Sequence, residues 1–159
     1  MADNVIKILN KTHEYAKQYS ECCKAQVASA IISVKGDKCI ALEANTTLPY
    51  SCKVNGCHRI KVYGEDSKNH RLPSDCYAIH SEVKAIASAA RRFETTIGST
   101  IYVTRYPCEA CARAIVAAGI KHVVYAGKAK ISEQTEQIFM RSSVEVTHVV
   151  LDWGDDNER

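Results

Sequence analysis

The chain has 159 residues and a mass of 17.6 kDa, the size of one ordinary domain. Hydrophobic residues make up 46% of it, enough for a buried core and too many for wholesale disorder. Its 21 Lys and Arg stand against 18 Asp and Glu, and the net +3 is scattered along the chain, which argues against a dedicated nucleic-acid binder with a concentrated basic face.

Residues 1–20 hold no uninterrupted apolar run of the kind a signal peptide needs; Val5, Ile6, Leu9 and Ala16 recur instead at the spacing of an amphipathic helix. No stretch approaches the roughly 18 apolar residues that span a bilayer. The expectation is a cytoplasmic protein with reduced thiols, so its eight cysteines and six histidines point to metal binding before disulfides. Residues 27–35 and 39–44, around the turn Gly36-Asp37-Lys38, read as a β-hairpin. Residues 45–75 lose periodicity and carry Cys52, Cys57, His58 and His70, a structureless loop on sequence grounds that a metal could order.

Helical spacing returns over 80–93, with Val83, Ile86, Ala87 and Ala90 marking one face. A strand at 99–104, a helix at 108–118 stopped by Gly119 and a strand at 121–126 follow. Ser132 is placed to cap a helix to about Arg141, 144–150 reads as a last strand, and the charged end from Asp152 as a frayed tail. The domain boundaries so read are 1–152 for one domain, with a Cys/His-rich insertion at 45–76, and 153–159 for the tail. Strands alternating with helices after the hairpin predict a mixed sheet covered on both faces, an α/β three-layer sandwich.

The chemistry concentrates at two predicted helix starts, His80-Ser81-Glu82 and Pro107-Cys108-Glu109-Ala110-Cys111. Cys108 and Cys111, three apart, share one face of a first helical turn, where positive potential favours thiolates. With His80 they make three protein ligands, the count of a catalytic zinc that keeps one position open. Glu82, two residues past His80, is placed to carry protons. A closed four-ligand zinc or unliganded thiols is the alternative, and the joint occurrence of both motifs weighs against it. His-x-Glu followed by Pro-Cys-x-x-Cys is the signature of the zinc-dependent nucleobase deaminases.

From about Glu21 to Gly127 the chain resembles the deoxycytidylate deaminase branch of the cytidine deaminase superfamily. The likeness rests on both motifs, on Cys22 before Val27, on Asn45 after the second strand, and on Ile101-Tyr102-Val103-Thr104, Gly119-Ile120 and Val123-Val124-Tyr125. It implies a five-stranded mixed sheet between helices and hydrolysis of dCMP to dUMP and ammonia, supplying thymidylate synthesis. It implies a catalytic zinc on His80, Cys108 and Cys111, Glu82 as the proton carrier, and Asn45 at the substrate sugar. Thr104, Arg105 and Tyr106 fall where the family lines its pocket; Tyr106 would pack on the base and Arg105 meet a phosphate, or either would serve packing or surface. Arg59 and Arg71 are weaker phosphate candidates. A homo-oligomer, commonly a hexamer, with dCTP and magnesium-bound dTTP as effectors is implied as well. A free nucleotide as substrate agrees with the near-neutral charge, and a tRNA-adenosine or other nucleobase deaminase, or an inactive zinc module, are the competing readings.

Two departures stand out. The family run His-Ala-Glu-x-Asn-Ala-Ile reads His80-Ser81-Glu82-Val83-Lys84-Ala85-Ile86 here, and the Gly-Tyr before the family asparagine is Glu43-Ala44. A preference for a modified cytosine nucleotide is one expectation from them. Cys22, Cys57 and Cys76 resemble extra cysteines of microbial and viral members, and with His70, or else Cys52 or His58, they are candidates for a second, structural zinc. Cys39 reads as a core residue, and Cys23 has no assigned role.

Overall fold

The computed structural model describes residues 2–47, 51–64, 76–127 and 131–153. Helix α1 (Ala2–Tyr19) leads into the hairpin of β1 (Ala28–Ile32) and β2 (Cys39–Ala44). A short strand β3 (Thr46–Thr47) and helices α2 (Cys52–Asn55) and α3 (His58–Tyr63) follow. The remainder alternates: β4 (Ala78–Ile79), α4 (Ser81–Arg91), β5 (Thr100–Val103), α5 (Glu109–Ala117), β6 (His122–Ala126), α6 (Glu133–Arg141) and β7 (Glu145–Val149).

The main sheet has the order β2-β1-β5-β6-β7. β1 is antiparallel to both β2 and β5, whereas β5, β6 and β7 run parallel, joined by α5 and α6 as crossover helices. β1 is buried along its whole length, the pattern of a central strand covered on both sides; β7, at an edge, is largely exposed. Alternate side chains feed two cores. Ile31, Ile101, Val103 and Val123 meet Ala85 and Ala89 of α4, Ala112 and Ile115 of α5 and Phe139 of α6. On the other face Ala30, Ile32, Tyr102, Val124 and Ala126 meet Leu9 of α1. The register slips between Ile31 and Ile32, and at this bulge Ile40 and Ala41 both join the first core. The predicted three-layer sandwich with a five-stranded mixed sheet is the fold found.

Several local expectations need correction. The segment 45–75 is not wholly structureless: β3 pairs antiparallel with β4, and α2 and α3 lie between them. On α4 the buried face is not Val83, Ile86, Ala87 and Ala90 but Ser81, Glu82, Ala85, Ser88 and Ala89. Small residues let this helix approach the sheet closely, and they carry no hydrophobic signal; Ile86 is half-buried, and Val83, Ala87 and Ala90 are exposed. On α1, Ile6 is exposed while Thr12 and His13 join Leu9 and Ala16 in the buried set. Cys39, read as core, is exposed. Ser132 occupies the N-cap position of α6 but makes no cap hydrogen bond, donating instead to Gln134 Oε1 at 2.9 Å.

The tail also begins later than the sequence suggests. Trp153 stacks on the buried His13 ring, centroids 4.2 Å apart and 6° from parallel, and its Nε1 donates to Asn10 Oδ1 at 2.8 Å. The same indole closes over the end of β6 at Gly127, whose φ is +88°. A Cβ there would stand 2.8 Å from the Thr104 carbonyl oxygen and 3.7 Å from the indole. Both the positive φ and the backbone contact act against any side chain, so Gly127→Ala is expected to destabilise the fold by about 2 kcal/mol. Thermal unfolding should show a Tm lower by roughly 5 °C; an unchanged Tm would mean that this close approach is not needed.

Candidate active site

Helices α4 and α5 pack on each other, and each begins with one of the two motifs. His80 is the N-cap residue of α4 and Cys108 the N-cap residue of α5, both in extended backbone. Cys111 sits in the first turn of α5, almost wholly buried. His80 Nδ1 lies 3.5 Å from Cys108 Sγ and 3.3 Å from Cys111 Sγ. The donor atoms of His80, Cys108 and Cys111 all fall within 4.8 Å of one another, and among the described residues this is the group of His, Cys, Asp and Glu side chains gathered tightly enough to hold a metal ion. One imidazole and two thiols are borderline-soft donors that suit zinc, and a fourth position is left for a small molecule.

Glu82 follows immediately inside α4 and is 4% exposed. Burial is the main reason that its carboxyl is held above the usual carboxylate range, with the neighbouring His80 and the Ser81 hydroxyl acting the other way. Ser81 Oγ donates to Glu82 Oε2 at 3.2 Å and is itself 2.7 Å from Ser29 Oγ of β1, all three residues being buried. Ser29, the one polar residue in the otherwise apolar and wholly buried β1, is the sequence signal that Ser81 has a hydroxyl partner. The hydrogen bond from Cys111 chiefly brings Cys108 down to about 3, and Cys111 is pushed up by that bond and by burial. The contact with Cys108 raises the imidazole of His80. The contacts thus favour the thiolate form at Cys108 over Cys111.

Asn45 and Thr104 are buried and engaged with the backbone. Asn45 Oδ1 accepts from Ser20 Oγ at 2.6 Å and from the Val27 amide at 3.1 Å, and Nδ2 donates to the Ala25 carbonyl at 2.8 Å, so this side chain closes the segment between α1 and β1. Thr104 Oγ1 accepts from the Ala28 amide at 3.1 Å, tying β5 to β1. Tyr106 meets Tyr125 edge-on at 4.9 Å, and Tyr125 stacks on His148 at 4.5 Å, an aromatic row along the ends of the parallel strands. Burial and then Glu136 raise the Tyr106 phenol to about 12, so it stays a neutral donor throughout the working pH range. Arg105 is exposed.

Of the second-metal candidates, Cys22 and Cys57 do converge. Cys22, Cys23 and Cys57 lie within electrostatic reach of the Cys52 thiol, and Cys22 and Cys57 within reach of Cys23. Their donors are not drawn within 4.8 Å in a group of three among the described residues. Cys76 is half-buried ahead of β4, and the His58 ring lies 5.4 Å from Tyr77. His70 and Arg71 lie outside the described residues, and Arg59 on α3 keeps Nε and Nη2 buried with no hydrogen-bond partner among the described residues.

A family model for MafB19-like deaminases matches residues 3–152. The chain belongs to that family. The deaminase chain is 38% identical over 107 residues to the deoxycytidylate deaminase of Enterobacteria phage T4, a match covering 63% of this chain and 55% of the phage protein. It is 40% identical over 74 residues to ComE operon protein 2 of Bacillus subtilis, covering 46% of this chain and 39% of that protein. The chain thus spans about half or less of the length of these curated relatives. Its fold is that of the cyanophage S-TIM5 dCMP deaminase, solved with dCMP and dUMP: TM-score 0.67, 21% identity, 94% of this chain and 99% of that one. The resemblance read from the motifs is upheld. No helix among the described residues is long and apolar enough to cross a membrane.

Proposed function

We propose that this deaminase converts dCMP and water to dUMP and ammonia, supplying dUMP for thymidylate synthesis, with zinc held by His80, Cys108 and Cys111. The observation that carries the reading is the buried Glu82 carboxyl beside a His/Cys/Cys donor set, where a purely structural zinc site has no use for an extra acid. Zinc, when bound, supplies a Lewis acid that lowers the pKa of a water. Glu82 takes one proton of the attacking water and hands it to N3 of the ring, then takes the remaining proton of the hydroxyl added at C4 and gives it to the departing amine as the C4–N bond breaks. A carboxyl held above its ordinary range by burial is a better proton acceptor than a solvated one, which suits that exchange. Ser81 and Ser29 hold it in one orientation. Asn45, Thr104, Arg105 and Tyr106 line the nucleotide side of the site, Tyr106 against the base and Arg105 toward the phosphate.

The wider reading has a second, structural zinc on Cys22, Cys57 and Cys76 with His70, Cys52 or His58 as the alternative fourth ligand. Its support is the gathering of Cys22, Cys52 and Cys57. Family likeness extends the reading to a cytoplasmic homo-oligomer, a hexamer, with dCTP and magnesium-bound dTTP as effectors. The scattered +3 charge supports a free nucleotide over a polynucleotide substrate.

The deciding experiment is ammonia release and ultraviolet absorbance with dCMP, a 5-substituted dCMP, dCTP, cytidine and adenosine. dCMP is expected to be turned over at least about tenfold better, by kcat/KM, than cytidine, whose missing phosphate removes binding energy. Better turnover of the 5-substituted nucleotide would transfer the assignment to a modified cytosine, and activity confined to adenosine would sink the cytosine reading.

A further inference from the structure

The two departures from the family pattern meet in space. Lys84, in the first turn of α4, places Nζ 3.2 Å from Glu43 Oε2 at the end of β2 and 3.4 Å from the Ala44 carbonyl oxygen. The pair is partly withdrawn from solvent, with the Glu43 side chain 12% exposed and that of Lys84 31%. Lys84 stands two residues beyond Glu82, and Glu43 two residues before Asn45. An ammonium here bridges the helix that carries the acid to the strand end that carries the amide.

The bridge continues outward. Lys84 is also within electrostatic reach of Glu21, whose carboxylate accepts hydrogen bonds from the Thr46 hydroxyl and from the Thr47 amide at 3.2 Å. The Glu21 amide donates to the Asn45 carbonyl at 3.1 Å. Thr47 Oγ1 accepts from the Cys52 amide at 3.0 Å, and the Glu21 carbonyl from the Lys53 amide at 3.1 Å. A continuous set of polar contacts therefore runs from the cysteine-bearing helix α2 through Glu21 and the Asn45 segment to the first turn of α4. A neutral amide at position 84 and Gly-Tyr at 43–44 could not make the charged link in it.

We infer that Glu43 and Lys84 are a matched positioning pair that fixes the Asn45 segment, and the start of the cysteine-bearing segment, against the helix of Glu82. The pair acts through Asn45, not on the reacting atoms, so its loss weakens nucleotide binding more than the chemical step. This inference rests on the proposed deaminase reading for its kinetic part only.

The test uses full-length Lys84→Met, Glu43→Gln, the double variant and Lys84→Arg, each measured for dCMP kinetics and for backbone amide exchange. Lys84→Met is expected to raise KM about tenfold while kcat changes less than about threefold, the mark of lost uniform binding. Lys84→Arg should recover most of the loss, and the double variant should cost no more than the worse single one, as for two groups sharing one interaction. Amides of Asn45, Thr47, Cys52 and Lys53 should exchange about tenfold faster in Lys84→Met, with those of residues 101–103 unchanged. Unchanged KM together with unchanged exchange overturns the pair; so does faster exchange throughout the sheet, which would make it a general stabiliser. If the wild type deaminates no cytosine nucleotide, the functional reading fails, and amide exchange still decides the pair.

Discussion

Glu82→Gln should lower kcat for dCMP by about 10⁴-fold while leaving zinc content and fold intact. Loss of one general acid–base group costs about 10²–10⁴-fold, and in the proposed mechanism this carboxyl serves in successive proton transfers, which places it at the upper end. The amide keeps the shape and can still meet the Ser81 hydroxyl, so the variant tests proton transfer and not packing. Stability should move the opposite way. Because burial holds the carboxyl above its ordinary range, ionising it opposes folding. The contribution of the neutral acid is complete at low pH, below the unfolded value, and declines as pH rises through the folded value. Metal-stripped Glu82→Gln is therefore expected to match wild type near pH 4 and to unfold at a higher temperature near pH 8. A variant that keeps more than a tenth of wild-type kcat would remove Glu82 from the mechanism.

Cys111→Ser should have a comparable effect by a different route. Cys111 is buried and shares its thiol hydrogen bond with Cys108, so replacing sulfur leaves two ligands and a hydroxyl that is a poor zinc donor. Zinc content should fall by one ion per chain and dCMP turnover by about 10³-fold or more, since both ion and orientation are lost. The exposed Cys39→Ser should change neither. Metal analysis of the two variants beside wild type also counts the second zinc: two ions in wild type and one in Cys111→Ser is the expected pattern. A wild-type value of one would leave the cysteine-bearing segment without its ion.

What the sequence made legible follows the physical origin of each feature. His80, Glu82, Cys108 and Cys111 could be grouped because the chemistry demands those residue types at two helix starts, and the structure brings the three ligand candidates together. The strands came through where β-branched runs are long, as at β6, whose bounds the run 121–126 anticipates to one residue. β3 and β4 did not, because two-residue strands are defined by each other and not by any local pattern. The buried side of α4 was misassigned for a related reason: Ser81, Ala85, Ser88 and Ala89 face the sheet because they are small, and hydrophobic periodicity is blind to size. Trp153 was taken for tail because its neighbours are charged, yet a single indole stacked on His13 outweighs them locally. The partnership of Glu43 and Lys84 was invisible since each looked like an isolated departure 41 positions from the other.

That close seat of α4 on the sheet has a practical corollary for anyone wishing to redirect the enzyme to other bases. Positions 81, 85, 88 and 89 are closed to diversification, since added volume there would lift the acid-bearing helix away from its partners and cost about 1–3 kcal/mol per oversized side chain. Libraries should instead vary Arg105 and Tyr106, which lie outside this helix and are exposed and half-buried, so that new side chains there leave the seat of α4 undisturbed.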